Sequence, residues 1–286
     1  MTQQRAVAHV NTLIVGSGFG GLGLGIRLKR RGDDDFAIIE REGDVGGTWR
    51  DNTYPGAACD VPSHLYCYSF RPNPDWSRVF SPGHEIQQYL RDCAREEGLL
   101  PHIVFGANLE EARWDEAAGL WRVTTARGDF TARFLVTATG HLADEAYPAI
   151  PGLETFTGAK FHSARWDHSA PLEGRRIGVV GTGASAIQIV PEMAKIASEL
   201  VVFQRTAPYI IPRVERDYTE GERRLFRRDP AAIEELRAEL FWGGENSYAQ
   251  RRAVPQYLEA AKRQALAHLA AQVHDAGLRD RLTPDY

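Results

Sequence analysis

Apolar residues gather into short continuous runs through the first two-thirds of the chain and spread at helical spacing through the last third. Runs at 10–15, 36–39, 177–180 and 200–203 are strand-like, and the segments at 21–31 and 185–197 are helix-compatible. Ser81-Pro82 predicts a helix start, a cap followed by a first-turn proline. Ile86, Tyr89, Leu90 and Cys93 then share one face as the helix runs toward Gly98, a face suited to a core. Segments 109–114, 120–125 and 130–137, with turns at 115–119 and 127–129, predict an antiparallel meander. The last strand leaves through Ala138-Thr139-Gly140, small enough for backbone to approach a ligand and equally consistent with an ordinary strand exit. From Tyr218 onward the segments are helical and charge-rich, as at 230–241 and 256–276, with alanine and leucine on one face and no returning strand.

Two of these strand-to-helix junctions carry glycine loops, Gly16-Ser17-Gly18-Phe19-Gly20-Gly21 and Gly181-Thr182-Gly183-Ala184-Ser185-Ala186. In such a loop the first glycine makes the tight turn, the second lets backbone reach a pyrophosphate, and the third lets helix pack on strand. The phosphates then rest on free N–H groups at a positive helix end. The two loops differ in the chemistry downstream. The strand after the first ends in Glu40, an acid placed to bind a free ribose 2'-hydroxyl; the strand after the second leads into Gln204-Arg205-Thr206. An acid repels a 2'-phosphate and a guanidinium attracts one. The first loop therefore reads as an FAD site through Gly16, Ser17, Gly18, Phe19, Gly21 and Glu40. The second reads as an NADPH site through Gly181, Thr182, Gly183, Ala184, Ser185, Arg205 and Thr206. The fold class is α/β, with two Rossmann-like dinucleotide-binding domains, a small antiparallel β-meander and a helical insertion. The second half is cut short, because only two strands are recognisable where such a half has three.

Composition changes this picture little. The chain has 286 residues, 43% hydrophobic and 25% charged, enough for one large core or two ordinary ones. A net charge of -4 leaves no basic footprint for nucleic acid, and no apolar run approaches a membrane span. Cys59, Cys67 and Cys93 lack paired spacing and the nine histidines are scattered, so neither disulfide nor metal chemistry is expected. With no secretory signal, a reducing cytoplasm is the expected compartment. A disulfide reductase on this scaffold would need a C-x4-C pair, and there is none.

Two longer stretches carry a family resemblance. Gly46-Gly47-Thr48-Trp49-Arg50-Asp51-Asn52-Thr53-Tyr54-Pro55-Gly56-Ala57-Ala58-Cys59-Asp60 resembles the G-G-x-W-x4-(F/Y)-P-G-x3-D signature of Baeyer-Villiger monooxygenases, a branch of the class B flavin monooxygenases. Phe156-Thr157-Gly158-Ala159-Lys160-Phe161-His162-Ser163-Ala164-Arg165-Trp166-Asp167 fits the family's F-x-G-x3-H-x3-W pattern. The resemblance runs from about Thr12 to Tyr286. Read from the residues alone, Gly46-Gly47 offers bare amides and Trp49 and Tyr54 offer either aromatic walls or ordinary core. Asp60 leaves the Pro55-Gly56 turn either as a solvated acid or as a carboxylate in an aromatic site. The resemblance implies that Asp60 is catalytic, lying beside the flavin and orienting an arginine. Cofactor contact is expected at Gly47, Thr48, Trp49, Asp51, Asp60, Tyr66, Leu109 and His141. The family places the residue matching His162 in a linker, where hinge and packing duty competes with proton transfer.

For activity the resemblance implies that NADPH reduces FAD, that O2 adds to the reduced flavin to give a C4a-peroxyflavin, and that this inserts one oxygen atom into a ketone, giving an ester or lactone. The expected division is an FAD-binding domain over 1–150, a linker with the first part of the NADP-binding domain over 151–213, and a helical insertion over 214–286. Two departures stand out. Family members are usually longer, with an arginine for the peroxide beyond the segment resembling Leu282-Thr283-Pro284-Asp285-Tyr286, and Ala58 stands where many have arginine. The alternatives are an N- or S-oxygenating flavin monooxygenase, against which Trp166 argues, and a truncated nucleotide-binding fragment without turnover.

Overall fold

Strand β1 (Val7–Val15) is buried over its last four residues because a neighbour pairs with it on each side: β2 (Phe36–Glu40) from Thr12 onward and β6 (Gly128–Thr137) along nearly its whole length. Both pairings are parallel. The computed structural model describes residues 7–245 and 247–286, and its contacts divide the chain into two units: Met1–Tyr54 with Gly83–His168, and Pro55–Pro82 with Ser169–Tyr286.

In the first unit, helix α1 (Phe19–Arg30) connects β1 to β2, the short helix α2 (Thr48–Asp51) comes next, and α3 (Gly83–Glu96) precedes β3 (Ile103–Phe105). Strands β4 (Leu109–Asp115) and β5 (Leu120–Thr125) complete a six-stranded sheet of order β3-β2-β1-β6-β5-β4. The expected meander is therefore one edge of the main sheet. Ten-residue β6 is long enough to serve both parts: residues 128–132 pair antiparallel with β5 while 129–137 pair parallel with β1. One core cluster joins Leu13, Val15, Ala37 and Ile39 of the parallel part to Val123, Phe130 and Ala132 of the meander. Each of the larger side chains contributes about 1.5–3 kcal/mol by leaving water. On α3, Ile86, Tyr89, Leu90 and Cys93 are all buried, as their spacing requires. Strand β3 escapes a hydrophobic-run reading because it is three residues long and only Ile103 is buried.

In the second unit, β7 (Arg176–Val180), α4 (Ala184–Ala194) and β8 (Glu199–Phe203) form a parallel βαβ turn paired from Arg176↔Glu199 to Val180↔Phe203. Val180, Val201, Val202 and Phe203 of this strand pair are exposed. Helices α5 (Glu220–Arg228), α6 (Pro230–Glu245), α7 (Tyr248–Arg251), α8 (Pro255–Gln272) and α9 (Ala276–Arg281) make up the rest, with no further strand among the described residues. Thr219 and Glu222 start α5 with a reciprocal capping box. The helical segment expected over 256–276 is α8, which stops four residues sooner at Gln272; beyond it the Asp275 carboxylate accepts from the Leu278 N–H at 2.6 Å and starts α9. Residues 55–82 join this unit through main-chain bonds from Val79 N–H to Arg216 O (3.0 Å) and Tyr218 N–H to Ser77 O (2.8 Å), and through an Arg78–Asp217 ion pair at 3.0 Å. This grouping by contact interleaves along the chain, whereas the division at 150 and 213 is drawn in motif order.

Candidate nucleotide-binding sites

The first glycine loop is shaped by close approaches that side chains would block. Gly16 sits at φ +101°, and a Cβ there would stand 2.7 Å from the Ala138 carbonyl oxygen, so the small exit of β6 does meet this loop. A Cβ on Gly21 would fall 1.8 Å from the Gly16 carbonyl oxygen, which is why the third glycine is needed for helix to lie on strand. Gly18 is the N-cap of α1, with no side-chain cap, so the first N–H groups of the helix are left for an anion. Gly47 faces it: a Cβ on Gly47 would be 3.4 Å from the Gly18 Cα, and Gly47 itself adopts φ +52°. Two bare backbones thus meet at the uncapped start of α1, and this glycine-lined cradle of free amides fits a pyrophosphate.

Glu40, at the end of β2, is 5% exposed and heavily bonded. Its Oε2 accepts from the Ser17 N–H at 3.0 Å and the Ser17 hydroxyl at 2.7 Å; its Oε1 accepts from the Glu42 N–H at 3.0 Å and lies 3.1 Å from Arg50 Nη1. Burial alone would push this carboxyl up. The Glu42 and Ser17 donors and the Arg50 charge outweigh burial and hold it below the usual glutamate range. Arg50, in turn, clamps Asp51 through two nitrogens at 2.8 and 3.1 Å and donates to the Asp44 carbonyl at 2.8 Å. Arg165, beside Trp166 of the second signature, lies 3.6 Å from Asp51, and Thr53 Oγ1 is 2.8 Å from His168 Nε2. The part of the first signature up to Tyr54 and the second signature are therefore neighbours within the first unit. His162 caps a short helical turn, its Nδ1 accepting from the Ala164 N–H at 3.1 Å.

Of the remaining candidates in the first unit, Ser17 is buried, while Phe19 and Trp49 are half-buried and Thr48 exposed on either side of the cradle. Leu109 packs on the sheet core, and His141 is exposed just beyond the β6 exit.

In the second unit, Gly181 adopts φ +105° and Gly183 is the uncapped N-cap of α4, with open space where either Cβ would be. Ala186, where a third glycine would stand, is buried against the strand pair, and Thr182, Ala184 and Ser185 complete the loop. Arg205 and Thr206 are exposed just beyond β8. Asp60 and Tyr66 also belong to this unit; Asp60 is exposed and Tyr66 half-buried. Next to Asp60, burial pushes the Cys59 thiol up to about 11, which removes it as a nucleophile at neutral pH.

A family model for flavin-binding monooxygenase-like proteins matches residues 9–267. The chain belongs to the flavin-binding monooxygenase-like family. Among the family's curated members, a Baeyer-Villiger monooxygenase of Streptomyces coelicolor is 48% identical over 97% of this chain and 54% of its own length. One from Pseudomonas aeruginosa is 43% identical over 98% and 54%. Among solved structures, an oxidised steroid monooxygenase bound to NADP is 32% identical with a TM-score of 0.85, covering 97% of this chain and 60% of that one. A closed cyclohexanone monooxygenase is 28% identical with a TM-score of 0.86, covering 98% and 60%. The chain spans about half the length of the curated relatives it matches. These likenesses bear out the resemblance read from the two signatures.

Sequence reasoning passed over Arg50, Arg165 and Gln188. Arg165 and Gln188 meet partners more than a hundred residues away, Asp51 and Ala58, while Arg50 turns back onto Glu40 ten residues before it, and no sequence pattern marks any of the three. Among the described residues no helix is long and apolar enough to cross a membrane, and no cluster of His, Cys, Asp or Glu could hold a metal ion.

Proposed function

We propose that this chain supplies the FAD and NADPH sites of a monooxygenase that inserts one oxygen atom from O2 into a ketone, giving an ester or lactone. The observation that carries the reading is the contrast between two glycine loops of the same build. One leads to buried, ionised Glu40 and the other to exposed Arg205 and Thr206. The Gly18–Gly47 cradle would hold the FAD pyrophosphate, Glu40 its adenosine ribose, and the uncapped start of α4 the pyrophosphate of NADPH. FAD so held would supply hydride acceptance and oxygen activation.

This chain's own residues bind and orient. Glu40 rejects a 2'-phosphate by charge, Arg205 attracts one, and Trp49 and Tyr54 supply flat apolar surface that excludes water. Asp60 is the proposed catalytic carboxylate. The relatives named Baeyer-Villiger monooxygenases and the solved steroid and cyclohexanone monooxygenases support a ketone as substrate.

The test is oxygenation of cyclic, linear and steroid ketones under 18O2 with NADPH, using protein that carries this chain at the length of its relatives. Ester or lactone bearing one heavy oxygen supports the reading. Oxidation of thioethers or amines with every ketone left untouched would replace it with heteroatom oxygenation.

A further inference from the structure

The part of the first signature that ends in Asp60 is fastened to α4, the helix that leaves the second glycine loop. Gln188, on the second turn of α4, forms a two-way amide pair with Ala58: the Ala58 N–H donates to Gln188 Oε1 at 3.3 Å, and Gln188 Nε2 donates to the Ala58 carbonyl at 2.8 Å. Gly56, at φ +82°, comes so near the same helix that a Cβ would stand 2.7 Å from the Gln188 carbonyl oxygen and 3.2 Å from Glu192 Cγ. Cys59 is held from other sides. Its N–H donates to the Ser81 carbonyl at 2.9 Å and its carbonyl accepts from Arg213 Nη1 at 3.3 Å, while the Arg213 guanidinium lies over the Phe80 ring at 4.4 Å. Asp60 therefore extends from a backbone whose two preceding residues are fixed, one of them by the helix whose first turn faces the second glycine loop.

We propose that Gln188 is a positioning residue for Asp60, coupling the order of the Asp60 turn to a nicotinamide nucleotide held at the start of α4. The proposal rests on the reading of the second loop as an NADP site and of Asp60 as catalytic. A glutamine is required because only a side-chain amide both donates and accepts at this reach. Leucine of similar size makes neither bond, asparagine is one methylene short, and glutamate keeps only the acceptor. A nucleotide bound to the first turn of α4 stiffens that helix, and the amide pair passes this to Ala58 and so to Asp60.

Hydrogen–deuterium exchange of the full chain, with and without saturating NADP+, tests the coupling in the unmutated protein, Gln188→Leu and Gln188→Glu. The unmutated protein should show exchange slowed about tenfold over both 181–186 and 56–60. In Gln188→Leu the slowing over 181–186 should remain, with the NADP+ dissociation constant within about threefold of the unmutated value, while that over 56–60 disappears. Gln188→Glu, which keeps the Ala58 N–H bond, should fall between, and it decides the matter if the leucine variant does not fold. Protection of 181–186 without 56–60 in the unmutated protein would overturn the coupling and leave the NADP site standing. Protection of neither would overturn both. In protein at the relatives' length, the pair Asp60→Ala and Gln188→Leu should lower turnover no further than Asp60→Ala alone, because one residue acts through the other; losses that multiply contradict the proposal.

Discussion

Ser17 and Glu40 are joined twice through one oxygen: the serine N–H at 3.0 Å and its hydroxyl at 2.7 Å both donate to Glu40 Oε2, with both residues buried. The glycine loop and the end of β2 are thereby locked to each other, and the acid proposed to bind the ribose also sets the shape of the loop proposed to hold the phosphates. Replacing it should damage both functions. Glu40→Gln turns an acceptor-only carboxylate into a half-donor amide, leaving donors of Ser17, Glu42 or Arg50 unpaired at a cost of about 1–3 kcal/mol. We expect FAD affinity to fall at least tenfold by this reasoning, read by fluorescence quenching, with a lower melting temperature. The folded-state carboxyl lies below its ordinary range, so its stabilising contribution is full above the unfolded pKa and fades as pH falls through the lower folded one. Unchanged FAD affinity in Glu40→Gln would remove Glu40 from the site.

His64 makes the second unit acid-sensitive. Its ring is fully buried against Tyr218 and Phe226, with ring centroids 5.2 and 4.5 Å away, and among the described residues neither nitrogen has a hydrogen-bond partner. Burial, with the Arg237 charge, pushes its pKa down to about 4. The folded protein therefore binds this proton later than the unfolded chain does, and stability is lost as pH falls from about 6.5 toward 4, by up to about 3 kcal/mol. In His64→Phe this part of the pH dependence should vanish from denaturant titrations across that window. The same slope in both proteins would assign the acid sensitivity to other groups.

Much of this architecture was legible because the signals are local. Val-, Ile- and Leu-rich runs mark β1, β2, β7 and β8, the Ile86, Tyr89, Leu90 and Cys93 stripe marks α3, and the requirement for glycine at 16 and 21 is visible as close contacts with Ala138 O and Gly16 O. What was not legible depends on contacts that only the folded chain makes. The meander merges with the main sheet because β6 pairs with a strand more than a hundred residues earlier. Arg50 matters because Glu40 folds against it, and Gln188 because Ala58 does. The start of α9 was a local signal missed, since Asp275 is an ordinary N-cap acid.

The glycines of the two loops should respond oppositely to alanine. At Gly21 the new methyl would meet the Gly16 carbonyl at 1.8 Å, so Gly21→Ala should destabilise the fold by more than about 3 kcal/mol or abolish soluble protein. At Gly183 nothing lies within 4 Å, so Gly183→Ala should stay within about 1 kcal/mol of the unmutated stability. It should nevertheless weaken NADP+ binding about tenfold or more, because the methyl stands over the amides that would take the pyrophosphate. Urea unfolding and NADP+ titration of both variants separate the two effects, and equal destabilisation by the two substitutions would contradict the geometry.

Arg205 is exposed beyond β8, where a ligand phosphate would be its partner. A charge-assisted contact contributes about 1.5–3 kcal/mol, or roughly ten- to a hundredfold in affinity. Arg205→Glu should erase or reverse a preference for NADPH over NADH, measured as the ratio of their dissociation constants. An unmutated protein that binds both equally well would rule out the assignment.

Native mass spectrometry of the chain with FAD and NADP+ together shows whether one chain holds two different dinucleotides on two loops of the same build. One of each should be bound per chain, with Glu40→Gln depleting FAD alone and Arg205→Glu depleting NADP+ alone. Competition between the two nucleotides for a single site, or loss of both from either substitution, would contradict it.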